Sequence, residues 1–221
     1  MTRKRVVINK RILALATIIL MALPACCHCR YCISYEDFLE GRWEPIDTIV
    51  VKKQGKGNYT LTTGNKALDK TLNKEAFIVM QADTMYLNCC NLRYENTCFS
   101  SGFTRAMRIG ERSLLFVNRK IGREVQDRVL TAAVVFGTLG AAISAGSLSK
   151  QQVCYLISWG ANKKGLISIR MIDDALIDQM IAGRDDLHDE YYAEENTNKR
   201  LFASHIIPIL EKAGLFNQVR R

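Results

Sequence analysis

Histidine is scarce in this chain, with three in 221 residues, and none stands where a metalloenzyme needs it. His188 and His205 lie on separate segments and form no i, i+4 pair of the kind that sets two imidazoles on one metal. His28 belongs to the string Cys26-Cys27-His28-Cys29-Arg30-Tyr31-Cys32, but no second ligand pair elsewhere would close a zinc or copper site. No metal is therefore expected. P-loop, dinucleotide fingerprint and nucleophile elbow are all missing, so no cofactor is expected either. Ser147-Leu148-Ser149-Lys150 fits S-x-x-K, yet the accompanying S-D-N and K-T-G strings are absent, and it reads as a solvated helix end. Basic residues do not cluster with aromatics in any stretch, which excludes nucleic acid as a partner. These absences leave no catalytic residue to name.

Acidic residues are missing from the first 25 positions, which hold five of the 31 lysines and arginines and none of the 22 acids. Arg3, Lys4, Arg5, Lys10 and Arg11 precede an uncharged run from Ile12 to Leu23. That run is shorter than the about 20 residues of a membrane span and has the layout of an export signal. Leu23-Pro24-Ala25-Cys26 resembles a bacterial lipoprotein box, from which Pro24 is a departure. Cys26 is accordingly expected to carry lipid and to hold the protein on a membrane, with ordinary cleavage nearby or an uncleaved anchor as the alternatives. Two acyl chains attach stably, because each buried methylene contributes about 0.8 kcal/mol. Losing residues 1–25 takes the formal charge from +9 to +4, an ordinary surface for the 196 residues left. A periplasm-facing outer-membrane lipoprotein is the expected location.

Residues 26–40 then read as a cysteine-containing leader. Cys29-Arg30-Tyr31-Cys32 is a C-x-x-C, but without a strand before it or a helix pattern after it, a redox role is not expected. Four further cysteines, Cys89, Cys90, Cys98 and Cys154, read as small apolar residues more readily than as disulfides.

Residues 41–172 show strand patterning. Ile46, Thr48 and Val50 alternate with polar neighbours, Tyr59 to Thr62 is β-branched and aromatic, Phe77 to Met80 forms a buried-looking run, and Met85 to Tyr94 extends the pattern with Tyr86, Leu87, Leu92 and Tyr94. Phe103 to Ile109 turns through Gly110-Glu111 into Leu114 to Val117, and Val153 to Trp159 pairs in the same way with Leu166 to Ile172. The fold class expected is α+β: an antiparallel β-meander, barrel-like if Gly41-Arg42-Trp43 is similar to the Gly-x-Trp of lipocalin-type barrels. Trp43 would then face a small apolar ligand. From residue 173 to 221 the period changes to helical: Asp173 is an N-cap, Ile172 can staple to Ile177, and Gly183 and Gly214 end helices. Pro208 should kink or restart the last one. These helices are expected to pack on the sheet.

A helical insertion of about residues 123–149 interrupts this pattern. Val129 to Leu148 is a run of twenty without charge, in which Ala133, Gly137, Ala141 and Ala145 recur every four residues and form one smooth face. Only eight of the twenty are Val, Leu, Ile or Phe, so membrane insertion is marginal. The reading favoured is a helix packed on the protein or on a second copy, which would give a homo-oligomer; a membrane-inserted helix or an ordinary core helix are the alternatives.

Asn91-Leu92-Arg93-Tyr94, the run from Arg108 to Asn118, Gln151 to Gly165 and Tyr191 to Leu215 look like an uncharacterised family of exported Bacteroidota proteins. The resemblance implies export and no assigned activity. The leading expectation is a non-enzymatic, membrane-anchored envelope protein that binds or assembles. A lipocalin-like carrier of a small apolar ligand comes second, and an envelope enzyme third.

Overall fold

Period-two patterning dominates the chain from Cys29 to Met171, and the computed structural model, which describes residues 29–99, 101–122, 152–159 and 167–216, turns it into antiparallel strands. These are β1 (Cys29–Cys32), β2 (Glu44–Ile46), β3 (Val50–Lys53), β4 (Asn58–Thr62), β5 (Ile78–Gln81), β6 (Thr84–Asn88), β7 (Arg93–Tyr94), β8 (Thr97–Cys98), β9 (Phe103–Ile109), β10 (Ser113–Arg119), β11 (Gln152–Trp159) and β12 (Ile167–Met171). Ten form one sheet in the order β12-β11-β10-β9-β6-β5-β1-β2, with the β3–β4 hairpin joining at β9, while β7 and β8 pair alone. The meander is as expected, but the order ends at β12 and β2 without closing. Among the described residues the sheet is open and does not close into a lipocalin-like barrel.

The residues assigned to a leader are part of the sheet. β1 lies between β2 and β5, with Cys29 opposite both Ile46 and Gln81. It is followed at once by α1 (Tyr35–Glu40), which Ser34 opens with a capping box: its hydroxyl accepts from the Asp37 N–H, and the Asp37 carboxylate accepts from the Ser34 N–H. Among the described residues the sheet therefore takes in a strand that precedes residue 41. A second helix, α2 (Lys66–Lys74), starts at Asn65, whose side chain accepts from the Ala67 and Leu68 N–H groups.

One face of the sheet carries Cys32, Met80, Leu87, Phe116 and Tyr155 under a lid of Tyr35, Phe38, Leu92 and Phe99. Tyr35 leaves the β1 end of the sheet, stacks on Trp159 of β11 at 5.9 Å between ring centroids, and its hydroxyl donates to the Arg112 carbonyl. The other face is covered by two separate blocks. α2 and the β3–β4 hairpin bury Leu61, Leu72, Tyr86 and Phe103. The C-terminal helices α3 (Asp174–Met180), α4 (Asp185–Tyr192), α5 (Thr197–Arg200) and α6 (Ala203–Lys212) bury Ile109, Leu115, Cys154, Ile177 and Ile206. Asp173 caps α3 as expected, accepting from the Leu176 N–H at 2.9 Å. Pro208 sits inside α6, which runs on through it to Lys212. The lost donor leaves one carbonyl of the first turn to other partners, and the buried Ile206, Ile209 and Leu210 hold the helix down.

Candidate functional site

Strand β9 does not keep one partner along its length. Ala106 to Ile109 pair with β10, whereas Phe103 and Thr104 pair on that same side with β4. β10 diverges beyond Phe116, steadied by the Thr104 hydroxyl, which donates to the Val117 carbonyl at 2.7 Å. Where the strands part, the two blocks covering that face also stand apart, and a cleft of about 430 Å³ opens between them. Thr84, Arg105, Met107 and Val117 line its floor, and Gly57, Tyr59, Gln152 of β11 and Ile207 of α6 stand around them.

Local structure sets each of these groups. Gly57 ends a short 3₁₀ turn at φ 77°, a conformation that side chains with a Cβ rarely adopt, and it brings the backbone beside the Gln152 amide. Ala82 holds φ 51° in the two-residue turn between β5 and β6, at a cost of about 1 kcal/mol for a residue with a Cβ. That turn places Asp83 at one end of the cleft. Arg105 is the charged member of an otherwise apolar row, Phe103, Met107 and Ile109 being its neighbours on the same face of β9. Its guanidinium lies over the Tyr59 ring, 5.5 Å from the centroid, and among the described residues it makes no ion pair. The cleft thus combines apolar walls with one cation and one carboxylate. It can hold and orient a small molecule.

The residues singled out from sequence lie elsewhere. Trp43 is half-buried with its ring edge-on to Phe38 at 5.9 Å and the Arg30 guanidinium 4.8 Å from its centroid. It closes the edge of the first face and does not line the cleft. Arg30 also donates to the Met80 sulfur at 3.4 Å, and its Nε is buried without a hydrogen-bond partner. Cys26, Ala133, Gly137, Ala141 and Ala145, with the Val129 to Leu148 run and Ser147 to Lys150, lie outside the described residues. Among the described residues no helix is long and apolar enough to cross a membrane.

The C-x-x-C thiols face opposite sides of β1. Cys29 packs with Tyr31 beneath the α2 block, and Cys32 with Tyr35 on the other face, so they cannot exchange as a redox pair. Cys32, Cys89, Cys90, Cys98 and Cys154 form no disulfide among the described residues. Burial pushes the Cys32, Cys89 and Cys154 thiols up to about 12, which keeps them protonated and inert. Among the described residues no three His, Cys, Asp or Glu side chains gather as metal ligands.

The histidines serve the C-terminal block. His205 Nε2 is 2.8 Å from the Tyr191 carbonyl, and His188 packs on Tyr192, 4.5 Å between centroids. Beside them, Arg200 reaches Asp174 at 3.3 and 2.5 Å, and the Tyr191 hydroxyl donates to Asp174 at 2.8 Å. The Arg200 bonds hold the Asp174 carboxyl below its usual range.

Arg105, Asp83 and Gln152 were not expected as site residues. One signal in the sequence marks Arg105: an exposed charge on a strand face whose other residues, Phe103, Met107 and Ile109, are apolar. Nothing local marks Asp83 or Gln152, which join the site only through the sheet register.

Residues 30–217 match the model of a family of unknown function, DUF6563. The chain belongs to this family. The matched span starts within β1 and takes in both covering blocks and the cleft, so the whole described fold is the family's domain. Comparison with curated proteins and with solved structures found no match.

Proposed function

We propose that this DUF6563 chain is a non-enzymatic binding protein of the cell envelope, exported by residues 1–25, held on a membrane through lipid on Cys26, and binding a small ligand in the cleft beside β9. The cleft carries this reading. Its volume of about 430 Å³ falls within the roughly 300–1,000 Å³ of small-molecule sites, and its apolar walls are broken by few polar groups. Export and anchorage are supported by the cationic start, the short apolar run and the Leu-Pro-Ala-Cys string. The resemblance to exported Bacteroidota proteins supports the same location.

Two measurements test it. The intact mass of the envelope-extracted protein should equal residues 26–221 plus acyl groups; an unmodified chain starting elsewhere rejects the anchor. The neutral apolar dye Nile red should bind saturably at one site in the purified chain, and Met107→Trp, which fills the cleft floor, should abolish that binding. Binding that is unsaturable, or unchanged in the variant, rejects the cleft.

A further inference from the structure

We infer that the cleft selects an amphiphile with a single anionic group, a monocarboxylate or a comparable monoanion, seated with its charge on Arg105 and its apolar body over Met107 toward Ile207. This rests on the cleft being a ligand site and assigns the class of molecule it takes.

The placement of Arg105 carries the argument. Its row on β9 has Phe103 on one side and Met107 and Ile109 on the other, all apolar, so a methylene-rich or β-branched side chain would suit the face at least as well. The guanidinium is instead turned over Tyr59, which holds its plane and leaves its donors without a carboxylate among the described residues. A planar fork fixed in this way matches a carboxylate or phosphate edge and loses little freedom when it binds one.

Asp83 restricts the choice further. Arg105 stands opposite Tyr86 on β6, and Asp83 lies three residues before Tyr86. At about 3.3 Å per residue the two backbone positions are offset along the strand direction by roughly 10 Å, about the span of a medium-length alkyl chain. A molecule carrying a second anion at that distance meets a like charge there, which disfavours it. One with an amine at its far end meets a partner. Apolar length between the two is supplied by Met107, Val117 and Ile207. The cleft volume lies in the lower part of the small-molecule range and suits one free amphiphile better than a whole phospholipid.

The test uses the full chain, with Nile red displacement as the readout. Octanoate should compete about tenfold more strongly than octanol, the worth of one charge-assisted contact at a partly open site. Octanedioate should fall back toward octanol, and aminooctanoate should equal or exceed octanoate. Arg105→Gln should erase the advantage of octanoate over octanol, and a circular-dichroism spectrum and urea midpoint matching the wild type show that the variant is folded. Asp83→Asn should restore octanedioate. Octanoate competing no better than octanol, or keeping its advantage in Arg105→Gln, overturns the inference, whereas failure of Nile red to bind at all overturns the cleft reading beneath it. Vesicles of phosphatidylglycerol run in parallel separate the two sources of such a group. Arg105-dependent displacement by free octanoate identifies a soluble monoanion; displacement by vesicles alone identifies a lipid headgroup and rejects the free amphiphile.

Discussion

Arg200→Ala should destabilise the protein by about 3 kcal/mol near neutral pH, and that loss should shrink in acid. The Arg200 side chain is 11% exposed and Asp174 31%, so the pair is partly screened from water without being sealed from it. Its two bonds to the carboxylate, at 3.3 and 2.5 Å, are charge-assisted, and such contacts contribute about 1.5–3 kcal/mol. The guanidinium also lies 4.8 Å from the Tyr192 centroid and 5.8 Å from that of Tyr191, adding about 0.5–1 kcal/mol at sites of this exposure. A further bond, to the Glu194 carbonyl at 3.2 Å, ties α5 to the preceding loop. Removal leaves Asp174 still accepting one bond, from the Tyr191 hydroxyl, which limits the damage. The pH dependence follows from Asp174, whose folded pKa lies below the ordinary 3.8, first through the Arg200 bonds. A carboxylate of depressed pKa contributes stability that is present above its unfolded value and is lost as pH falls through the folded one. Urea unfolding at a series of pH values, followed by circular dichroism, should show the variant approaching wild type below about pH 4. A cost that is the same at neutral and acid pH, or one under half a kcal/mol, would refute the assignment of this pair as the clasp of the C-terminal block.

Two other outcomes follow from buried groups. Tyr155 has no exposed surface, and its hydroxyl accepts from the Ile121 N–H at 2.9 Å and donates to the Arg119 carbonyl at 3.1 Å. Tyr155→Phe keeps the ring contacts with Phe99, Phe116 and Tyr94 but strands the Ile121 donor, and should cost about 1–3 kcal/mol in the same urea assay; no measurable shift in midpoint would count against that network. Iodoacetamide near neutral pH should alkylate the exposed Cys90 and Cys98 within the native protein, while Cys32, Cys89 and Cys154, buried and shifted up to about 12, should react only after unfolding; peptide mass mapping that finds any of the three modified natively would contradict their burial.

The parts of the fold legible in the sequence are those whose signals are local and repeated. Ile169 and Met171 alternate with Ser168 and Arg170 in β12, and the strand pairs with β11, Ile169 standing opposite Ile157. Ile172, Asp173 and Ile177 spell out the start of α3, and Gly183, at φ 79°, stands just past its end. What escaped notice was short or ambiguous. β1 is four residues long, and with Cys29 and Tyr31 on one face and Cys32 on the other it offers two apolar faces and hence no alternation to read. Next to an export signal, such a cluster resembles processing chemistry more than a strand. The capping box at Ser34 and Asp37 is present in the sequence, but a helix of six residues is too brief to show a helical period. α2 carries just Leu68 and Leu72 as its apolar stripe, the minimum that a helix lying on a hairpin requires.

The cleft was invisible for a different reason: no segment encodes it. It arises because β9 is long enough to serve two neighbours, β10 along Ala106 to Ile109 and β4 at Phe103 and Thr104, and because each neighbour brings its own apolar cover. A sheet whose strands kept single partners would have let the α2 block and the C-terminal helices meet over β9. With the strands diverging, the middle of that face is left to Arg105 and Met107, one residue each for charge and apolar contact. A charge in that row would be a defect if the covers met above it, since a buried guanidinium without a counter-ion costs several kcal/mol. Open to the cleft and lying over Tyr59, it keeps access to water until an anion replaces the water. The branch in the sheet and the misplaced arginine are therefore two halves of one feature, and the Arg105→Gln competition experiment tests both together.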